Sequence, residues 1–421
     1  MNRRGMCRLL AAVSLIFCAG AQLGHAEGQP VVRAASLEKN AAIATDARLA
    51  GDENRTRLVL DLSASIEVAA FTLADPYRVV VDLPQVAFQL PLKAGTVGRG
   101  LIKAFRFGLV MPGGSRIVID ATGPVKIDKA VVLDAIEGQP ARLVLDLVTV
   151  DRESFMRELA SESKPRRQAA PQRKSESETA PGDTRPVIVL DPGHGGVDSG
   201  TIAGSGETEK TIVLEFAQHL RDRIEKTRKY RVVMTRNDDS FIALGERVRV
   251  ARANGAALFI SIHADSLANR SPDIRGATVY TVSDKASDAG AARLAESENK
   301  ADAVAGLDLT AEPEHVADIL LDLAQRETKT FTQKFARGLI KEMKSAARLH
   351  KNPLKSAGFK VLRAPDVPSV LVELGYVSSP QDLKLMTSDA WRQRTSDAIV
   401  QAVNTFFSTR VAGSSASAGT N

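Results

Sequence analysis

Two imidazoles and two carboxylates stand at points in this chain where they could act on one atom. The apolar run 187–190 leads into Asp191-Pro-Gly-His194-Gly-Gly196, 258–262 leads into His263-Ala-Asp265, and 370–372 leads into Glu373. Thr208-Glu209-Lys210 opens a long helical stretch after a glycine-rich loop. Two histidines and one glutamate are three ligands that leave a fourth position open, the arrangement of a catalytic rather than a structural zinc. Each residue also has a plain reading. A histidine after a strand is usually a hydrogen-bonded loop residue, Glu209 a first-turn carboxylate favoured by the helix dipole, and Glu373 an ion-paired strand end. Histidines at the ends of two separate strands, one among glycines, favour the metal. His219, His315 and His350 lie at no strand end and receive no role, and His25 lies in the leader described below.

The elements that must position these groups follow from the hydrophobic pattern. Short, fully apolar runs at 187–190, 232–234, 258–262, 279–282, 359–362 and 370–374 read as strands buried on both faces. They alternate with helical stretches near 209–227, 244–254, 328–348 and 389–408. The pattern predicts an α/β domain over 187–410: an open, largely parallel twisted sheet with helices on both faces. In such a sheet the site gathers at the carboxyl ends of the strands, where the four residues fall.

Ahead of it one pattern occurs four times: Arg57-Leu-Val-Leu-Asp-Leu62, Arg78-Val-Val-Val-Asp-Leu83, Arg116-Ile-Val-Ile-Asp-Ala121 and Arg142-Leu-Val-Leu-Asp-Leu147. At period two, Leu58, Leu60 and Leu62 share one side and Arg57, Val59 and Asp61 the other. With turn signals between them, these strands predict a small all-β sandwich over 44–150, its Arg and Asp forming exposed cross-strand pairs. Residues 151–186 carry almost no large apolar side chain and read as a disordered linker. Residues 411–421 read as a disordered Gly/Ser/Ala tail.

Composition limits the function. Of 421 residues, 44% are hydrophobic and 25% charged, the balance of a globular protein. Both cysteines, Cys7 and Cys18, fall in the first 20 residues, so the body has no cysteine nucleophile and no Cys-ligated metal. Residues 1–26 read as a signal peptide: Arg3, Arg4 and Arg8, then an apolar run of about 13 residues, short of the ~20 that a permanent membrane anchor needs. The Arg3-Arg4 pair resembles a twin-arginine signal, and an ordinary secretory signal fits equally. The formal charge of +6 falls to +3 without the leader's arginines, and with 5% aromatics and no dense basic face a nucleic-acid partner is not expected.

Taken in order, Leu190-Asp-Pro-Gly-His194-Gly-Gly196, Glu209-Lys210, Thr235-Arg236, Ser261-Ile-His263-Ala264 and Ser369-Val-Leu-Val-Glu373 resemble the zinc-dependent N-acetylmuramoyl-L-alanine amidases, specifically the periplasmic cell-division (AmiC) type. The repeated strands resemble the AMIN domain that precedes the catalytic domain in that type. Asp265 and Ser379 stand where the family often has Asn.

The resemblance implies one Zn2+ held by His194, Glu209 and His263, with Glu373 as the catalytic carboxylate. It implies hydrolysis of the amide between N-acetylmuramic acid and L-alanine of the peptidoglycan stem peptide, in septal cell separation, and a LytM-domain activator. Arg236 could bind a stem-peptide carboxylate or be held structurally. Two rival readings remain: a wall-binding protein without catalysis, and a zinc peptidase acting on the stem peptide.

One segment is long for a connection, the insertion 283–327. On a helix, Ala291, Leu294, Glu298, Ala301 and Ala305 share a face, and Glu298 is the only charge in that stripe. A packed carboxylate needs a partner or a metal. With the autoinhibitory helix of this amidase type in view, Glu298 is expected to fill the zinc's open position. Ile319, Leu320 and Leu323 are candidate activator contacts.

Overall fold

The computed structural model describes residues 41–91, 93–111, 113–162, 183–266, 275–307 and 319–417. The expected leader therefore lies outside the described residues, as does most of the expected linker.

Nine strands come first: β1 (Ala42–Gly51), β2 (Arg55–Leu62), β3 (Ala69–Leu73), β4 (Arg78–Pro84), β5 (Val86–Phe88), β6 (Ile102–Met111), β7 (Gly114–Ala121), β8 (Val125–Leu133) and β9 (Ala141–Thr149). They form two sheets, β5-β1-β2-β9-β8 and β3-β4-β7-β6. Leu58, Leu60 and Leu62 point inward with Leu143, Leu145 and Leu147, and meet Val79, Val81, Ile117 and Ile119 of the other sheet. The sandwich thus has the inner face that its period-two pattern predicts.

The four Arg/Asp repeats pair across neighbouring strands, Arg57 opposite Asp146, Asp61 opposite Arg142, Arg78 opposite Asp120 and Asp82 opposite Arg116. In the first sheet they are partly solvated: Arg57 grips Asp146 at 2.6 and 2.7 Å with half its side chain exposed. In the second sheet the expectation of exposure fails, because Arg78 and Arg116 are buried.

After the sandwich, α1 (Arg152–Glu162) corrects the expected start of the linker. Phe155 is buried and meets Tyr77 edge-on, with ring centroids 5.2 Å apart. One aromatic anchor is enough to dock a polar helix that composition alone reads as unstructured.

The second domain contains β10 (Val187–Pro192), α2 (Glu209–Lys226), β11 (Arg231–Met234), α3 (Leu244–Ala253), β12 (Leu258–His263), β13 (Ala277–Val282), α4 (Ala289–Glu298), α5 (Ala301–Val304), α6 (Ile319–Met343), β14 (Leu349–Ala357), β15 (Ser369–Glu373), α7 (Pro380–Met386) and α8 (Asp389–Ser417). The sheet order is β11-β10-β12-β15-β13-β14, parallel throughout except for the β13–β15 pair. Alternate residues of β10 and β12 enter different cores: Ile188, Leu190 and Ile260 pack on α2, α6 and α8, while Val189 and Phe259 face α3 and α4. Burial on both faces is why these strands are continuously apolar.

Two boundaries differ from expectation. The apolar run 359–362 is a 3-10 turn (Lys360–Leu362), and the strand at that edge is β14, whose Leu-His-Lys-Asn-Pro-Leu-Lys-Ser-Ala carries no run of apolar residues. An edge strand has one partner, so it tolerates polar residues and a proline. α8 continues to Ser417, past the expected start of the tail. Among the described residues no helix is long and apolar enough to cross a membrane.

Candidate metal centre

β10 ends in a loop that turns on itself. His194 has φ +59°, and its ring meets that of His263 at the end of β12 edge-on, with centroids 4.9 Å apart. Gly193 must be glycine: a Cβ there would lie 2.3 Å from His263 Cε1. Gly200, at φ +60°, would place a Cβ 2.7 Å from both Glu209 Oε2 and His194 Cδ2. The glycine-rich loop is therefore what lets backbone, two imidazoles and a carboxylate occupy the same small volume.

Glu209 opens α2 and is completely buried. Its Oε2 accepts from Thr201 N–H at 3.0 Å and its Oε1 from Ala264 N–H at 2.8 Å. The same Oε1 lies 3.1 Å from His194 Nε2 and 3.3 Å from His263 Nδ1. Glu298, the last residue of α4, brings Oε2 to 3.7 Å from His194 Nε2 and 3.2 Å from His263 Nδ1. Both carboxylates thus approach the same two ring nitrogens, and His194, His263 and Glu298 offer donor atoms that lie within 4.8 Å of one another.

His194 Nε2 and His263 Nδ1 are buried and have no hydrogen-bond partner among the described residues. A buried ring nitrogen left without a partner is costly unless it meets a cation. Electrostatics agree with that. Burial disfavours charge on His194, yet Glu209, Asp198 and Glu298 raise its pKa well above the ordinary value. Burial likewise opposes ionisation of Glu209, and the two imidazoles overcome it, holding the carboxyl well below its usual range. Burial pushes Glu298 up to about 7, against the pull of His263 and His194. The donor set (two imidazole nitrogens and carboxylate oxygens) suits a zinc-like ion.

Glu373 stands opposite His263 in the β12–β15 register. Its Oε2 accepts from Asp265 N–H at 3.0 Å, and its buried Oε1 has no partner among the described residues. Burial, then the charges of Glu209, Asp265 and Glu298, push its pKa well above that of an ordinary carboxyl. Asp265 accepts from Thr201 Oγ1 at 2.8 Å, so the residue at that position braces the loop that carries Glu209. Ser379 caps α7 through Asp382 N–H at 3.3 Å, a task that Asn also performs.

Of the two readings of Arg236, the contacts support the structural one. It is buried, and Nε donates to Pro192 O (3.0 Å), one terminal nitrogen to Asp238 O (3.0 Å) and the other to Gly193 O (2.7 Å) and Lys210 O (2.8 Å). A guanidinium so engaged cannot reach a substrate carboxylate; it ties the His194 loop to the start of α2.

Sequence reasoning missed three further supports. Asp198 Oδ2 lies 2.9 Å from His194 Nδ1, leaving Nε2 for the cluster, the usual second carboxylate behind a ligating histidine. Arg247 bridges Asp191 Oδ1, Pro192 O and His194 O, each at 2.8 Å. Asp191 accepts also from Thr235 and Ser261, at 2.6 and 2.7 Å. The i+4 spacing of Asp198 from His194 was the available signal; Asp191 and Arg247 had none.

The space at the cluster is about 10 Å³, bounded by His194, His263, Glu298, Asn299 and Phe359. A cavity of about 930 Å³ between α3, the end of β13 and α6 is far larger, but among the described residues it is lined by no imidazole and no convergent carboxylates.

Comparison with known proteins fits this geometry. Residues 188–405 match the N-acetylmuramoyl-L-alanine amidase (Amidase_3) family and residues 46–149 the AMIN domain. The chain is 35% identical to the amidase AmiC of Neisseria meningitidis, over 91% of this chain and 94% of that one. It is 32% identical to AmiC of Escherichia coli, over 84% and 86%. Among solved structures, the amidase AmiC2 of Nostoc punctiforme aligns over 54% of this chain and 99% of that one, with 24% identity and a TM-score of 0.38. The chain belongs to the N-acetylmuramoyl-L-alanine amidase family. Its AMIN domain ahead of the catalytic domain is the arrangement of the AmiC type.

Proposed function

We infer that this amidase cuts the bond between N-acetylmuramic acid and L-alanine with a single Zn2+ held by His194, Glu209 and His263. The observation that carries this is the approach of Glu209 Oε1 to 3.1 and 3.3 Å of two otherwise unpartnered ring nitrogens. When bound, the ion supplies Lewis acidity, polarising the scissile carbonyl and making water a stronger acid. Asp198 fixes the His194 tautomer. Glu373, with one oxygen held by Asp265 N–H and the other unpartnered, takes the proton from water and passes it to the departing alanine nitrogen.

Glu298 at the same point, with about 10 Å³ of space beside it, supports a closed enzyme: that volume holds no more than about one water. Opening falls to a LytM-domain activator, with the first turns of α6 as its contact. The side chains of Ile319, Leu320 and Leu323 there lie outside the described residues. The chain acts in the periplasm on septal peptidoglycan, and the signal-like residues 1–26 support export.

Two measurements test this. Elemental analysis should find one zinc per mature chain, lost in His194→Ala and His263→Ala; full zinc in either variant ends the ligand assignment. Mass spectrometry of sacculi digested by the opened enzyme should yield intact glycan and free peptides beginning with L-alanine. Peptides cut internally, still joined to muramic acid, would identify a peptidase instead.

A further inference from the structure

The second sheet of the AMIN domain has an outer face that is covered. Val80 of β4 and Val118 of β7 point away from the sandwich core, yet both are fully buried. What covers them is the segment that carries Glu298. A Cβ on Gly306 would lie 2.8 Å from Val80 Cγ2 and 3.3 Å from Val118 Cγ2, and Gly306 itself has φ +70°. Backbone rests directly on the two valines, a contact only glycine permits.

Around them three arginines of the same face reach the carbonyls at the end of α5. Arg78 donates to Ala303 O, Arg106 to Val304 O at 2.9 Å, and Arg116 to Ala305 O and Gly306 O at 3.1 and 3.3 Å. Asp82 and Asp120 hold Arg116 and Arg106 in place, at 2.6 and 2.7 Å. The last carbonyls of a helix lack partners within it, so donors from outside satisfy them. α5 has only four residues, too few to persist without outside support. On the catalytic side the support is Asp302, which accepts from Leu244 N–H at 2.9 Å, and Asn299, paired with Gly358 O and Lys360 N–H.

We propose that the Arg78–Arg106–Arg116 face of the AMIN domain is a latch that holds the Glu298 segment over the metal centre. The latch rests, for its effect on activity, on the reading of Glu298 as a plug. It makes the AMIN domain an inhibitor of its own catalytic domain, so that anything drawing α5 from this face also loosens Glu298.

The test uses the full mature chain and hydrogen exchange at Ala305, Gly306 and Leu307, whose N–H groups bond to Ala301, Ala303 and Asp302 carbonyls. Arg106→Ala combined with Arg116→Lys should speed exchange there by about tenfold or more, since these amides report local opening. Lysine keeps the charge for Asp82 but loses the fork that serves two partners. Arg57→Ala, which breaks the equivalent pair in the other sheet, should leave exchange unchanged. If the double variant does not fold, Arg106→Ala alone, on edge strand β6, should still raise exchange. Unchanged exchange in a folded variant overturns the latch, even where Glu298→Ala activates the enzyme. Faster exchange with no gain in basal sacculus hydrolysis overturns the latch's hold on Glu298 where Glu298→Ala does activate the enzyme, and refutes the plug where Glu298→Ala does not.

Discussion

Glu373→Ala should bind zinc as the parent does and lose roughly 10²–10⁴-fold in turnover, the usual contribution of a general base. The measurement belongs in a Glu298→Ala background, where the centre is open. Glu373 ends β15 beside His263, is completely buried, and presents one oxygen without a partner while Asp265 N–H holds the other. Glu373→Gln keeps the shape and the hydrogen bond but cannot accept the proton, so it should fall nearly as far. Turnover near that of the parent moves the base to another residue. Loss of zinc in either variant makes Glu373 a ligand.

Of the candidate site, His194, His263 and Glu373 were the legible part, because they sit at strand ends, the easiest points to find in a sheet buried on both faces. Continuous apolar runs mark β10, β12 and β15, and the histidines and Glu373 follow them directly. Glu298 stood out for a different reason, as the one charge in the stripe Ala291, Leu294, Ala301 and Ala305; the three alanines are buried and Leu294 is half-buried against the same core. β14 was not legible, because one-sided pairing at an edge removes the demand for apolar residues.

Supports such as Asp191 and Arg247 act only through partners distant in sequence, 70 residues from Asp191 to Ser261 and 56 to Arg247. Arg236 stayed open between two readings for a related reason: nothing local tells a guanidinium that binds four carbonyls from one that faces a substrate. The four Arg/Asp repeats are nearly identical, yet tertiary contact makes two of them solvated pairs and two a buried interface. No pattern within a strand could separate them.

Glu298→Ala should raise hydrolysis of sacculi in the absence of any activator by about tenfold or more. The segment has little apolar area to hold it: its buried side chains are mostly alanines, each contributing on the order of 0.8 kcal/mol per carbon removed from water. Closure therefore depends on polar contacts, those of Glu298 at the centre, of Asn299 and Asp302 on the catalytic domain, and of the three arginines behind. Losing only about 1.4 kcal/mol of that closure multiplies the open population tenfold. Glu298 loses more than a contact, since a buried carboxylate has no alternative partner if it leaves the imidazoles without reaching solvent. The variant should remain folded, because alanine continues the stripe and suits the last turn of α4. It should also keep its zinc, because His194, Glu209 and His263 are untouched. Replacing 285–325 with a short bridge should activate at least as strongly, by removing the segment with its latch contacts. A folded, zinc-loaded Glu298→Ala protein as inactive as its parent would show that something other than this carboxylate closes the site.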